Sequence, residues 1–346
     1  MINNKNNSII IYEIINWRLL MEKYDLIIIG AGISGLSAAI EARSRGVEKV
    51  VLIDRDTEPG GAMNSCVHTG FYYKNIEDNL TSPELISIME EKAIGLGVEI
   101  MCETTVIELR EPMEVITVNK VQGVQSLLGK AIILAMGSRE KPYGYKNVLG
   151  YSAMSGITTA GATLRCINKK GILLGKKCII LGSDDIGILT ARTLLQEGAE
   201  VECMIETSNN IRVNGDISKN IIEEIDIPIL FKHRVVKIYG SARVTGVDIV
   251  KLDDNYNEIE GTLTYKACDT LVLCMKPRPD TKLVECYGIS LNDDEYGVIV
   301  NSSMETNKNG VFACGAVING YDSVENVIYQ GENAGKAAAE YILAAS

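Results

Sequence analysis

Phenylalanine and tryptophan are scarce: the 346-residue chain holds 3 Phe and 1 Trp. Histidine is scarcer still, with His68 and His233 the only two, which argues against a histidine-rich metal site. The nine cysteines (66, 102, 166, 178, 203, 268, 274, 286, 314) form no C-x-x-C and no zinc spacing, so no metal is expected. An odd, scattered set of this kind points to reduced thiols in a cytoplasm and away from a disulfide framework. No apolar run reaches the ~18 residues of a membrane helix. Basic charge is in deficit: 34 Lys plus Arg against 45 Asp plus Glu leave a net charge of −11. Nucleic acid and anionic lipid surfaces would be repelled, which argues against both as partners.

Glycine, by contrast, is abundant at 32 residues, as turn-rich α/β sheets with close backbone approaches require. A chain that is 46% hydrophobic and 23% charged folds, and at ~150 residues per domain it makes about two domains. Residues 1–20 resemble a signal peptide only superficially. Tyr12 and Glu13 interrupt the apolar run Ile9–Ile15, and no small-residue cleavage site follows. They read as an N-terminal extension or short helix, with Met21 as an alternative start.

One pattern occurs twice. Tyr24–Ile29 runs into Gly30-x-Gly32-x-x-Gly35, and Lys177–Leu181 runs into Gly182-Ser-Asp184-Asp-Ile186-Gly187. Each is a continuous apolar run, a glycine turn and a helical pattern, as for a strand buried on both faces. Each is followed by a strand that ends in an acid, Val50–Asp54 and Val201–Glu206. Both acids lie 24 residues beyond the first glycine (30 to 54, 182 to 206). Two such units predict an α/β protein with two Rossmann-like nucleotide-binding domains. Thr81–Glu84 opens a helix to about Gly97, with Ser82 as cap and Pro83 in the first turn. Val98–Met101, Val106–Leu109, Val115–Val118, Ala131–Gly137, Thr270–Met275, Val298–Val300 and Gly310–Gly315 read as strands, and Ser323–Leu343 as a final helix. Tyr143–Gly150 is the crossing into the second domain, and Pro277-Arg278-Pro279 leads back. The second domain is thus inserted into the first: 21–145 and 280–346 against 146–279.

The first turn has a physical logic. Gly30 allows the tight turn, Gly32 lets a pyrophosphate approach the helix N–H groups, and Gly35 lets helix and strand pack closely. Asp54 is placed to accept from ribose hydroxyls. These residues resemble, together with Gly60-Gly61, Ala135-Met-Gly137 and Thr306-x4-Val311-Phe-Ala-Cys-Gly315, the two-dinucleotide-binding-domain flavoproteins, which include thioredoxin reductases and related pyridine-nucleotide oxidoreductases. The stretch Gly60–Phe71 and Met136–Glu140 are similar to one subgroup. It comprises FAD-dependent oxidoreductases associated with glycerol-3-phosphate dehydrogenases and flavin subunits of some amino-acid dehydrogenases.

The resemblance implies FAD in the first domain, with Gly30, Gly32, Ser34, Gly35, Asp54 and Arg55 at its ADP portion. Val106 would lie beside the adenine, Gly137 near the pyrophosphate and Gly60 and Gly61 toward the flavin, with Ala135, Gly315 and Ala316 also at the cofactor. Ala316 stands where the family carries Asp or Asn, so a ribityl contact is lost. Ser323 and Val324 would aim the final helix at the pyrimidine edge. The resemblance also implies NAD(P)H at Gly182, Asp184, Ile186, Gly187 and Glu206, with Glu206 favouring the unphosphorylated ribose. Asp184, however, puts a side chain and a charge where the pyrophosphate should sit. Either the site is lost, or the carboxylate turns aside and caps the helix. Lys276 is a second departure, in place of the family's glycine.

Cys66 and His68 are the catalytic candidates, a thiol and an imidazole two residues apart near the flavin. Plain packing of Cys66 is the competing reading. A dithiol mechanism is disfavoured, because no second cysteine is near and the second domain lacks the C-x-x-C of thioredoxin reductases. The first functional expectation is an FAD-dependent oxidoreductase moving hydride or electrons between NAD(P)H or a small reduced substrate and an acceptor. The alternative is an FAD-carrying electron-transfer subunit with a dehydrogenase partner subunit and a degenerate NADH site. A scaffold that kept only the fold is the third. A homo-oligomer is expected.

Overall fold

The computed structural model describes residues 21–344 apart from 75, 141–153 and 214–215. The extension at 1–20 and the crossing at Tyr143–Gly150 lie outside the described residues.

Five parallel strands form the first sheet, in the order Val311–Ala313, Ala131–Leu134, Leu26–Ile29, Val50–Ile53, Glu99–Met101. The three central strands are buried along their whole length. Alternate residues explain why. Leu26, Ile28, Val50, Leu52, Ala131 and Ile133 join the core under the helices. Ile27, Ile29, Val51, Ile53, Ile132 and Leu134 join a second core with Leu109, Val115 and Leu127 of an antiparallel meander. A strand covered on both faces needs no polar positions, hence the unbroken apolar runs.

The helix Ile33–Ser44 packs on the final helix Val324–Ala344 through small residues. A Cβ at Gly331 would overlap the Ser34 carbonyl oxygen, and one at Gly335 the Ala38 carbonyl oxygen. The second domain repeats the first sheet, in the order Ile157–Thr159, Thr270–Leu273, Lys177–Leu181, Glu200–Glu206, Ile229–Phe231. It carries its own meander, His233–Gly240, Val244–Lys251 and Thr264–Ala267.

Several elements differ from the sequence expectation. The meander strand Gly123–Leu128 and the whole second meander carry no continuous apolar run that would announce them. Val298–Val300 forms no strand: its amides bond Val317 O and Ser290 O at 3.1 and 3.0 Å, and Val298 keeps only an isolated bridge to Leu291. Thr81, not Ser82, caps the helix Ser82–Gly95, forming a capping box with Glu84. The Ser82 hydroxyl donates instead to Met63 O at 2.6 Å.

The segments that join the domains run side by side, Ser138–Arg139 pairing with Arg278–Pro279. Helix Ala160–Lys170 then leans on the turn Gly61–Ser65, with Asn168 Nδ2 donating to Ser65 O at 2.7 Å and Arg165 paired with Asp56 at 3.0 Å. Lys169 pairs with Glu58. Its first turn is bonded from the linker, where Glu140 Oε1 accepts from Gly161 N at 2.7 Å. Gly335→Ala should lower the unfolding free energy by roughly 1–3 kcal/mol, because two helices must part. Gly95→Ala, whose Cβ meets open space, should not destabilise; urea denaturation of both variants checks this.

Candidate cofactor site

The two glycine turns are built alike. Gly30 N donates to Ile53 O at 2.8 Å, and Gly182 N to Ile205 O at 2.9 Å. Both glycines have φ near +110° (+107°, +111°), and a side chain at either would overlap a carbonyl of the neighbouring strand, Ala135 or Cys274. The acid of the next strand reaches back to the turn, with Ala31 N to Asp54 Oδ2 at 2.7 Å and Ser183 N to Glu206 Oε2 at 3.0 Å. The chain beyond the acid then crosses the turn, bridging Gly32 to Gly60 and Asp184 to Arg212. Each bridge spans 28 residues (32 to 60, 184 to 212).

From there they diverge. The helix after the first turn has no side-chain cap and no acid in its first turn. A Cβ on Gly32 would meet nothing within 4 Å. Asp54 is half-buried, and its two oxygens accept from Ala31 N and from Asp56 N at 2.9 Å, which leaves a lone pair on each. Uncapped N–H groups at a positive helix end, facing open space, suit a diphosphate. These residues fit the ADP portion of FAD.

The second turn is filled by its own side chains. Asp184 caps the helix Asp185–Gln196, its Oδ1 accepting from Gly187 N at 2.9 Å, and Asp185 adds a further acid in the first turn. Burial pushes the Asp184 carboxyl above the usual carboxylate range. Glu206 is only 1% exposed. Its Oε2 accepts from Ser183 N, from Ser183 Oγ at 2.8 Å and from Arg212 Nε at 3.1 Å. Its Oε1 accepts from Ser208 N at 2.9 Å and Thr207 Oγ1 at 3.4 Å. Burial, the largest single influence, raises this carboxyl, but those donors and Arg212 together hold it below the usual range. No lone pair is left for a ribose, so the ribose role expected of Glu206 is not available in this arrangement. A phosphate at ~4 Å from the Asp184 carboxylate would be repelled by several kcal/mol at an effective dielectric of ~20. The second turn does not fit a dinucleotide. Gly187 seats the helix, and Ile186 packs against the helix–sheet core of that domain.

The other expected residues take these places. Ser34 is buried against Gly315. Ala135 closes on Ile29 O at 2.8 Å, and Gly137 (φ +70°) has open space on its α-carbon. Val106 is partly buried on the meander strand Thr104–Arg110, where Thr104 N bonds Asp54 O at 2.8 Å. Arg55 is exposed and pairs with Asp280 at 3.6 Å. Ala316 opens the short helix Ala316–Asn319, and Gln330, which the sequence did not single out, supplies polarity at that corner. Its Oε1 accepts from Gly315 N at 2.9 Å, and its Nε2 donates to Asp322 Oδ2 at 3.2 Å. Ser323 Oγ accepts from Asn326 N at 3.2 Å at the start of the final helix, just before Val324.

Cys66 and His68 line one cavity but do not form a pair. Burial pushes the thiol up to about 11, which keeps it protonated at neutral pH, the wrong state for a nucleophile. The imidazole Nδ1 faces Thr69 O at 2.8 Å, and the ring lies 4.9 Å from that of Phe71. Among the described residues no three His, Cys, Asp or Glu gather around a metal-sized point, and no helix is long and apolar enough to cross a membrane.

Two Rossmann-like domains, one nested in the other, with a phosphate cradle open in the first, define an FAD-binding oxidoreductase. The family model of pyridine nucleotide-disulphide oxidoreductases matches residues 24–331, and the chain belongs to that family of flavoproteins. It is 24% identical to thioredoxin reductase of Borreliella burgdorferi, over 85% of this chain and 84% of that one. A shorter match, 29% over 193 residues, joins 53% of the chain to 19% of the sarcosine oxidase subunit alpha of Rhizobium meliloti. Among solved structures, T. acidophilum thioredoxin reductase superposes with a TM-score of 0.75 at 20% identity, over 92% of this chain and 98% of that one. L-proline dehydrogenase from P. horikoshii gives 0.65 at 18%, over 91% of this chain and 55% of that one. At these identities the structural likeness carries the fold alone.

If the Asp184 carboxylate is what bars a dinucleotide, Asp184→Gly should raise NADH affinity by roughly tenfold or more. Titration followed by NADH fluorescence reads this out, and an unchanged affinity would count against the charge argument.

Proposed function

We propose that the protein is an FAD-dependent oxidoreductase that takes electrons from a small reduced substrate and passes them to an acceptor, and that its reductant does not dock in the second glycine turn. The contrast between the turns carries this reading: Gly32 leaves its helix end free, whereas Asp184 occupies the equivalent end. Bound FAD supplies hydride acceptance and onward electron release. The chain's part is positioning and electrostatics. Gly32 and the first turn of Ile33–Ser44 would hold the pyrophosphate, and Asp54 the ribose. Gly60, Gly61, Gly137 and Gly315 would admit close approach by the backbone. The positive end of the helix Val324–Ala344, behind Ser323, would favour negative charge on the ring system. Disulfide exchange is not part of the proposal, because Cys66 has no cysteine partner within reach along the chain and its thiol is held protonated.

A second reading has support of its own. In it the chain is the FAD-carrying subunit of a larger dehydrogenase, and a partner chain oxidises the substrate. The match to a chain named as a subunit, sarcosine oxidase alpha, and the filled second turn both favour it.

Anaerobic spectra of the purified protein separate these readings. The proposal expects a yellow protein whose flavin is bleached by a small substrate, tested with glycerol 3-phosphate and L-proline, and not by NADH or NADPH. Bleaching only when a co-purified partner is present would favour the subunit reading. Rapid bleaching by NADH would refute the filled turn as a barrier. A protein that stays colourless after incubation with FAD would end both.

A further inference from the structure

The cavity that holds Cys66 and His68 lies between the domains. One wall is the loop that follows Gly61–Ser65, and so continues from the segment crossing the open glycine turn. The other wall is made by two helices of the second domain. Leu164 and Asn168 face it from Ala160–Lys170, four residues apart. Arg192 and Gln196 face it from Asp185–Gln196, also one turn apart, so each helix presents a single face.

Its chemistry is lopsided. Arg192 is half-buried and has no hydrogen bond or ion pair among the described residues. His68 and the amide of Gln196 add polar groups, and no Asp or Glu lines the space. In a chain of net charge −11, an acid-free cavity around an unpaired guanidinium selects anions. A guanidinium is a rigid fork suited to carboxylate and phosphate. The cavity measures about 130 Å³, near the size that accepts a benzene-like molecule of roughly six heavy atoms. That is too small for a dinucleotide and right for a short organic acid or phosphate ester.

We propose that this interdomain cavity binds the anionic group of a small substrate, with Arg192 as its counter-ion and His68 at its rim. The proposal deepens, and rests on, the reading of the first domain as a flavin site acting on a small reduced substrate. It names that substrate's class: a molecule with one carboxylate or phosphate.

The chain has only two histidines, so the two imidazole C2–H proton resonances can be told apart with a His233→Gln variant. The holoprotein is titrated with sodium acetate, with sodium phosphate and, at equal ionic strength and pH, with sodium chloride. The expected result is a saturable shift of the His68 resonance with acetate or phosphate, none with chloride, and no movement of His233. A response to acetate alone assigns a carboxylate substrate, one to phosphate alone a phosphate ester, and one to both the shared anion chemistry. Arg192→Gln should weaken the response roughly ten- to hundredfold, the loss of a charged hydrogen-bond partner. Arg192→Lys should fall between, since it keeps the charge and loses the fork. No saturable shift with either anion, or equal shifts in Arg192→Gln and the parent protein, would overturn the proposal. Failure of the flavin reading is seen separately: a colourless protein that still binds the anion sinks that reading alone, and a yellow protein whose His68 ignores both anions sinks this one alone.

Discussion

The fate of a few backbone N–H groups at the start of two helices organises this molecule. An α-helix leaves its first N–H groups without internal partners, and a buried end must find them elsewhere. Ile33, Ser34 and Gly35 are buried, yet the turn before them is open at Gly32 and has no side-chain cap. Under the proposed function a group from outside the chain would complete this end, and a diphosphate would supply both the acceptors and the charge. Cofactor binding and folding of this domain would then be linked, because a ligand held by the native state alone stabilises that state.

The second domain solves the same problem from within. Asp184 accepts from Gly187 N, and Glu206 gathers the Ser183 and Ser208 amides together with Arg212. The Ser183, Gly187 and Ser208 amides are thus already bonded to carboxylates of the chain. Asp is among the strongest capping residues, and a cap contributes about 1 kcal/mol. An Asp at the position equivalent to Gly32 thus stabilises the helix without a ligand. The repeat keeps its architecture, since the roles of Gly182 and Gly187 in the turn and the helix packing do not depend on a ligand.

What the sequence shows clearly is what local chemistry dictates. Strands buried on both faces are unbroken apolar runs, so Leu26–Ile29, Val50–Ile53 and Lys177–Leu181 stand out. The 24-residue spacing from glycine to acid marks both turns. Extending the repeat by four residues would also have paired Gly60 with Arg212, whose 28-residue spacings match. Other features depend on contacts across the fold. The Glu140 bond to Gly161 N and the reach of Gln330 to Gly315 N join residues that are 21 and 15 apart, with no periodic signal. The meander strands bury polar residues such as Thr117, Ser126 and Asp248 among their apolar ones, so their patterns are weak. Cys66 reads as reactive because an imidazole is two residues away, yet burial sets its protonation, and burial is not local. Val298–Val300 has strand-like composition, but its amides find partners outside any ladder.

The same distinction bears on how the domains meet. Helix Ala160–Lys170 is tethered to the first domain by Arg165 with Asp56, Lys169 with Glu58, and Asn168 with Ser65. The two ion pairs are partly exposed, and such pairs are worth only about 0–1 kcal/mol each. The neutral Asn168 bond adds about 1 kcal/mol. The tethers that set the distance between the Cys66–His68 loop and the Arg192 face are thus weak beside the cores that hold each domain together. A ligand gripping Arg192 on one wall and the loop on the other would contribute an interaction comparable to all three tethers, because a charged hydrogen bond alone is worth about 1.5–3 kcal/mol. The domains would then be drawn together by what lies between them.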